Sequence, residues 1–136
     1  MNPKALDLQA RTQRFATAVI RFCETLPKDV ATQTIAAQLL DSASSTDSNY
    51  RATCRARSTD EFIAKIGVAA EEADESKGWL ELLVSSGKTT SDAAGALIKE
   101  ADELTAIFVA SRITAQKNKA ERNELKRQMK SPRRRL

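Results

Sequence analysis

Apolar positions recur along this chain with the spacing of α-helices. Leu8, Phe15, Val19, Phe22 and Leu26 step by 7, 4, 3 and 4, which places them on one stripe. That stripe predicts a first helix over about 4–25, closed by Pro27, which removes a backbone donor. A second helix is expected over 28–57, with Val30, Ile35, Leu39, Ala43, Tyr50 and Cys54 facing inward. Its middle, 42–49, is small and polar but holds no Gly or Pro, so it reads as helix rather than loop. Ser58 with Glu61 three residues later forms a capping-box signature and opens a third helix over 59–86. Phe62, Ile66, Ala69, Ala73, Ser76, Leu80 and Leu83 alternate steps of 4 and 3, a heptad-like seam. Gly87 suits the residue after a helix end. Thr90 or Ser91 would cap a fourth helix over 91–116 or beyond, striped by Leu97, Ala101, Leu104 and Phe108 with Ile98, Ile107 and Ile113 beside it.

Four amphipathic helices with short connections predict an all-α, up-down-up-down four-helix bundle. The bundle is expected to occupy 1–116. Past Ile113 the stripe fades, and 117–136 reads as a basic helical extension followed by a disordered tail from 131. With Pro only at 3, 27 and 132, nothing breaks a helix between 28 and 131. Alanine is frequent and aromatics are 4%, a composition suited to close-packed helices.

The charge is unevenly placed. The whole chain of 136 residues has 22 basic and 18 acidic side chains, a net of +4. Residues 117–136 hold nine of those bases and two of the acids, a net of +7. The remaining 1–116 is therefore mildly acidic at −3, with 13 bases and 16 acids. The chain has no histidine, which removes His-based triads and His-ligated zinc. Only four glycines are present, which argues against a Gly-rich cofactor loop. Cys23 and Cys54 form no C-x-x-C pair and read as reduced, partly buried thiols. No apolar run of 18 residues and no signal peptide is visible, so a cytoplasmic location without membrane contact is expected.

Each motif has a structural and a functional reading. Ser86, Gly87, Lys88 and Thr89 share the end of a P-loop, but position 82 is Leu where the pattern needs Gly, so a helix cap and turn is the better account. Glu71, Glu72, Asp74 and Glu75 lack the Glu-x-x-His partners of a dimetal bundle, and an acidic solvated or intersubunit face is expected. Trp79 reads as a core or interface aromatic. Arg51, Arg55 and Arg57 close the second helix, where cations complement the dipole, bind phosphate or pair with a carboxylate on another helix. Lys126, Arg127, Lys130, Arg133, Arg134 and Arg135 form a basic run of the type that contacts nucleic acid without sequence preference, or that is simply solvated. No catalytic, cofactor or metal residues stand out; an enzyme is not expected.

The stretch from 49 to 83 resembles a known family. Asn49, Tyr50 and Arg51, then Arg57 and Ser58, then Glu61, Phe62 and Ile63, with Lys65 and Ile66, match the bacterial four-helix bundle proteins, also called the 23S rRNA intervening-sequence protein family. The run 71–76 and the run 79–83 follow in register, and the resemblance extends over roughly 8–115. It implies a homo-oligomer, in this family a homopentameric barrel, with no enzymatic activity and no cofactor. It also implies nucleic-acid binding through basic surface, as in the related accessory variability protein of diversity-generating retroelements, whose partners include RNA or DNA and a reverse transcriptase. By position, Asn49, Tyr50, Ser58, Glu61, Phe62, Glu72, Glu75 and Trp79 are implied to be structural. Thr46 and Asp47 depart from the family pattern, and a carboxylate in mid-helix needs a partner. The function expected is a non-enzymatic, oligomeric, nonspecific nucleic-acid binder; the alternative is an oligomeric protein–protein scaffold.

Overall fold

The computed structural model describes residues 2–130. Four helices follow one another: α1 (Pro3–Glu24), α2 (Val30–Cys54), α3 (Thr59–Ser85) and α4 (Ser91–Lys130). Among the described residues there is no strand. Consecutive helices pack side by side, and α4 closes the ring against α1. Ion pairs between α3 and α4 mark their antiparallel register: Lys77 with Asp102 at 3.0 Å, and Lys119 with Asp60.

Each helix begins where local chemistry supplies a cap. Asn2 accepts from the Lys4 amide and is followed by Pro3 at the first helical position. Asp29 accepts from the Thr32 backbone and hydroxyl, which together hold its carboxyl below the usual range. Ser58 Oγ accepts from the Glu61 amide at 3.0 Å, while Glu61 turns toward Arg57 instead of completing the reciprocal bond. Thr90 Oγ1 accepts from the Ala93 amide, so Thr90 is the cap of α4. Gly87, at φ 76°, lets Lys88 donate to Leu83 and its own amide donate to Val84, which ends α3 as a Schellman turn.

The α3 seam is buried as the spacing requires, except at Phe62, which is half-buried. Phe15, Val19 and Phe22 of α1 and Leu26 just after it are buried, and Leu8 packs against them. Ala101, Leu104 and Phe108 carry α4 into the core; Ile113 is exposed. Cys23 is buried and its thiol is pushed up to about 11 by desolvation, the behaviour of an inert core cysteine.

Two boundaries and one face of α2 differ from the sequence expectation. The inner row of α2 is Thr32, Ala36, Leu39, Ala43, Thr46, Tyr50 and Thr53. Val30 is 83% exposed, because the true row runs through three threonines that an apolar stripe does not register. The helix also starts at Val30, not 28, since Asp29 caps it. It ends at Cys54, not 57. Ser58 needs extended backbone to cap α3, and the turn over 55–58 takes up the residues between.

The polar middle of α2 is helical for a reason visible only in three dimensions. Ser42 and Ser76 meet hydroxyl to hydroxyl at 2.8 Å between α2 and α3. Thr46, Asn49 and Thr53 donate back to the carbonyls of Ser42, Ser45 and Asn49. Every one of these buried or half-buried groups is satisfied, so their burial is tolerated. Asp47 is satisfied too: it accepts from the buried Thr12 hydroxyl at 2.8 Å and lies 3.4 Å from Arg51 Nε.

A basic cleft at the open end of the bundle

The antiparallel order places the start of α1, the α2–α3 turn and the far half of α4 at the same end of the bundle. The α1–α2 and α3–α4 turns lie at the other end, where Lys88 meets Asp29 at 3.6 Å. α4 is the long element. At 40 residues it measures about 60 Å, against about 40 Å for the 27 residues of α3. It draws level with the start of α3 at Arg122, whose guanidinium donates to Thr59 Oγ1 at 2.9 Å. The eight residues beyond, 123–130, rise clear of the bundle by about 12 Å.

Between the α2–α3 turn, α4 and the start of α1 lies a cleft of about 650 Å³. Its walls include Tyr50, Cys54, Phe62 and Ala115, and its rim carries Arg57, Asn118 and Arg122. Tyr50 forms the deep side. Its ring stacks on Phe108 with centroids 5.3 Å apart, and burial together with a hydrogen bond to Cys54 pushes its hydroxyl well above the usual range. Phe62, Ala115 and Asn118 also border a second groove along α4 with Ala110 and Thr114, so together they form the ridge between the two depressions.

The basic residues of the sequence divide here into two kinds. Arg51 is the last of them on α2 and points back to Asp47; its Nε is buried, at ion-pair distance but without a hydrogen bond. Arg55 and Arg57 sit in the turn, both exposed. Arg57 is 90% exposed and only 3.9 Å from Glu61 at its closest, a weak pair. Arg122 is not distinguished by sequence, since nothing in its local pattern separates it from other cations of the extension. It is held by a neutral hydroxyl, which orients its guanidinium without neutralising it. Lys126 and Lys130 are exposed on α4 beyond the cleft, and Arg127 pairs with Glu124 at 2.5 Å. Arg133, Arg134 and Arg135 lie outside the described residues, as does the tail expected to be disordered.

The residues carried over from the family pattern take packing and capping positions. Asn49 is half-buried and bonds within its own helix. Glu75 accepts from the Trp79 indole at 3.1 Å one turn on, and Trp79 packs against the core edge. Burial, then the charges of Glu75, Asp41 and Glu71, push the Glu72 carboxyl above its usual value. No group of three potential metal-ligating side chains occurs among the described residues. No helix among them is long and apolar enough to cross a membrane.

An all-α antiparallel bundle whose fourth helix overruns the others, with a cleft at the overrun, is the class this architecture defines. The same fold occurs in the crystal structure of a protein of unknown function from the S23 ribosomal protein family of Bacteroides thetaiotaomicron, at 24% identity and a TM-score of 0.74 over 80% of this chain and 97% of that one. The model of the 23S rRNA-intervening sequence protein family matches residues 4–110, and the chain belongs to that family. No curated protein matches it. The family match stops at 110, so Asn118, Arg122 and the cations beyond them lie outside it.

Proposed function

We propose that this protein is a non-enzymatic, cytoplasmic, homo-oligomeric four-helix bundle protein that binds RNA or DNA without sequence preference through the basic end of the bundle. One observation carries the reading: Arg57 and Arg122, far apart in sequence, rim a single cleft from which Lys126, Arg127 and Lys130 continue along α4. Elsewhere on the body, several cations are engaged with carboxylates. Arg11 bridges Glu100 and Glu103, both at 2.6 Å, and Lys77 and Lys88 pair with Asp102 and Asp29. Arg57, Arg122 and the cations of the extension are gathered at one end, and phosphate binding is assigned to that end. Binding there proceeds by counterion release and carries a steep salt dependence.

The test is a salt-titrated binding measurement on full-length protein and on protein lacking 126–136. The deletion is expected to flatten the slope of log affinity against log salt by about 0.7–0.9 for each phosphate that the shortened protein no longer neutralises. An absence of binding at about 50 mM salt, or a slope untouched by the deletion, overturns the reading. Light scattering on the same samples tests the homopentamer that the family resemblance implies.

A second reading, an oligomeric scaffold for another protein such as a reverse transcriptase, draws on a different face. Val68 and Leu82 are exposed on α3 on either side of Glu71 and Glu75. Capture of a protein partner that survives nuclease and high salt would favour it.

A further inference from the structure

We propose that the cleft between the α2–α3 turn and α4 receives an unpaired base of single-stranded nucleic acid, with its phosphates held by Arg57 and Arg122. The inference rests on the nucleic-acid reading above and specifies its substrate. A flat basic surface would bind duplex and single strand alike, because both present phosphates. This surface is not flat. It is a cleft of about 650 Å³, large enough for a nucleotide, and its cations stand on the rim while its walls mix the apolar surfaces of Phe62 and Ala115 with the hydroxyls of Thr53, Ser58 and Thr59.

The wall composition is the first argument. Phe62 and Ala115, on neighbouring helices, give one apolar side, and Tyr50 closes the depth with its ring already stacked on Phe108. A base laid against this side exchanges water for aromatic and methyl contact, the interaction on which single-strand binders rely irrespective of base identity. Asn118 on the rim offers an amide that can both donate and accept, which any base edge can use. A duplex keeps its bases stacked inward and can reach only the rim.

The charge arrangement is the second. Arg122 is oriented by a hydroxyl and Arg57 has only a distant carboxylate at 3.9 Å, so two guanidiniums border one opening with most of their charge uncompensated. Lys119, one turn before on α4, is by contrast committed to Asp60. Guanidiniums grip phosphate oxygens bidentately, which fixes the backbone while the base enters.

Anisotropy titrations with the full-length protein test this, using a labelled oligouridylate, an oligothymidylate and a duplex of matched length. Phe62→Leu keeps an apolar side chain of similar reach and removes the ring. It is expected to weaken single-strand binding about fivefold or more while leaving duplex affinity unchanged. Ala115→Leu fills the cleft from the α4 side and is expected to act in the same direction. Arg122→Gln is expected to weaken both forms. The ribose and deoxyribose arms decide between RNA and DNA as the source of the strand. Equal affinity for duplex and single strand, untouched by Phe62→Leu and Ala115→Leu, overturns the cleft while leaving charge-driven binding in place. Binding of neither form by the unaltered protein overturns both. A thermal melt of each variant confirms the fold, and Ala115→Leu serves as the readout should Phe62→Leu fail it.

Discussion

The two halves of α4 are one continuous helix under opposite rules. From Ala94 to Phe108 the helix buries Ala94, Ala101, Leu104 and Phe108 completely, and its Glu100, Asp102 and Glu103 are tied to neighbouring helices. From 120 to 130 every residue is exposed, including Leu125 and Met129. The first half is helical because packing holds it. The second is rich in Glu, Lys, Arg, Gln, Leu and Met, all strong helix formers, and has no Gly or Pro. It grows from a helix already nucleated, so it avoids the cost that makes isolated short helices marginal. The difference teaches where function can reside. The packed half has little freedom to vary, whereas the extension presents cations on a rigid rod without disturbing the core.

Substitutions at the extremes should separate the halves most. Phe108→Ala removes a fully buried ring and the stack on Tyr50, and is expected to cost about 3–5 kcal/mol in denaturant unfolding. Met129→Ala, on the same helix, is expected to change stability by no more than about 0.5 kcal/mol. Comparable destabilisation at both sites would mean that the extension is packed in solution.

A middle-sized effect is expected at Asp47. Its replacement by Ala leaves the Thr12 hydroxyl only the Gln9 carbonyl as acceptor and leaves Arg51 Nε buried without a counter-charge, a destabilisation of about 1–3 kcal/mol. Asp47→Asn keeps an acceptor for Thr12 and should recover part of it. An unchanged midpoint for both would show that this interaction, unlike the apolar core beside it, does not support the body.

The smallest effect concerns Glu72. Its carboxyl titrates above the usual value in the folded chain, so the folded state binds the proton more tightly than the unfolded one. Its contribution is then fully present below the ordinary carboxylate range and is lost as pH rises through the raised folded value. Glu72→Gln should give a slightly higher Tm at pH 7, and the gain should vanish on acidification. A gain that persists at low pH would point to a cause other than charge.

Much of this architecture is legible from residue spacing. The four helices, the Ser58 cap, the Gly87 stop and the helical run past Ile113 all depend on neighbours within a few positions, and such signals survive in sequence. The inner face of α2 is only partly legible. Threonine at 32, 46 and 53 reads as polar, yet it is buried because its hydroxyl can bond locally and its methyl can pack. The cleft is legible only in pieces. The arginines of 51–57 and the basic extension can be named separately, but Arg51 belongs to Asp47, and Arg122 is set apart only by its bond to Thr59.

By itself the sequence determined four amphipathic helices, their order, the Ser58 cap and Gly87 stop of α3, and a net charge displaced to one end. Periodicity, capping and charge counts are local or additive properties, so no tertiary information is needed to read them. Tertiary structure alone decided the register of α3 on α4, the pairing of Ser42 with Ser76, and the meeting of Arg57 with Arg122 across 65 positions. These depend on how far one helix slides along another. The side chains that set that slide are spread over all four helices, and only the packed core selects one register among them.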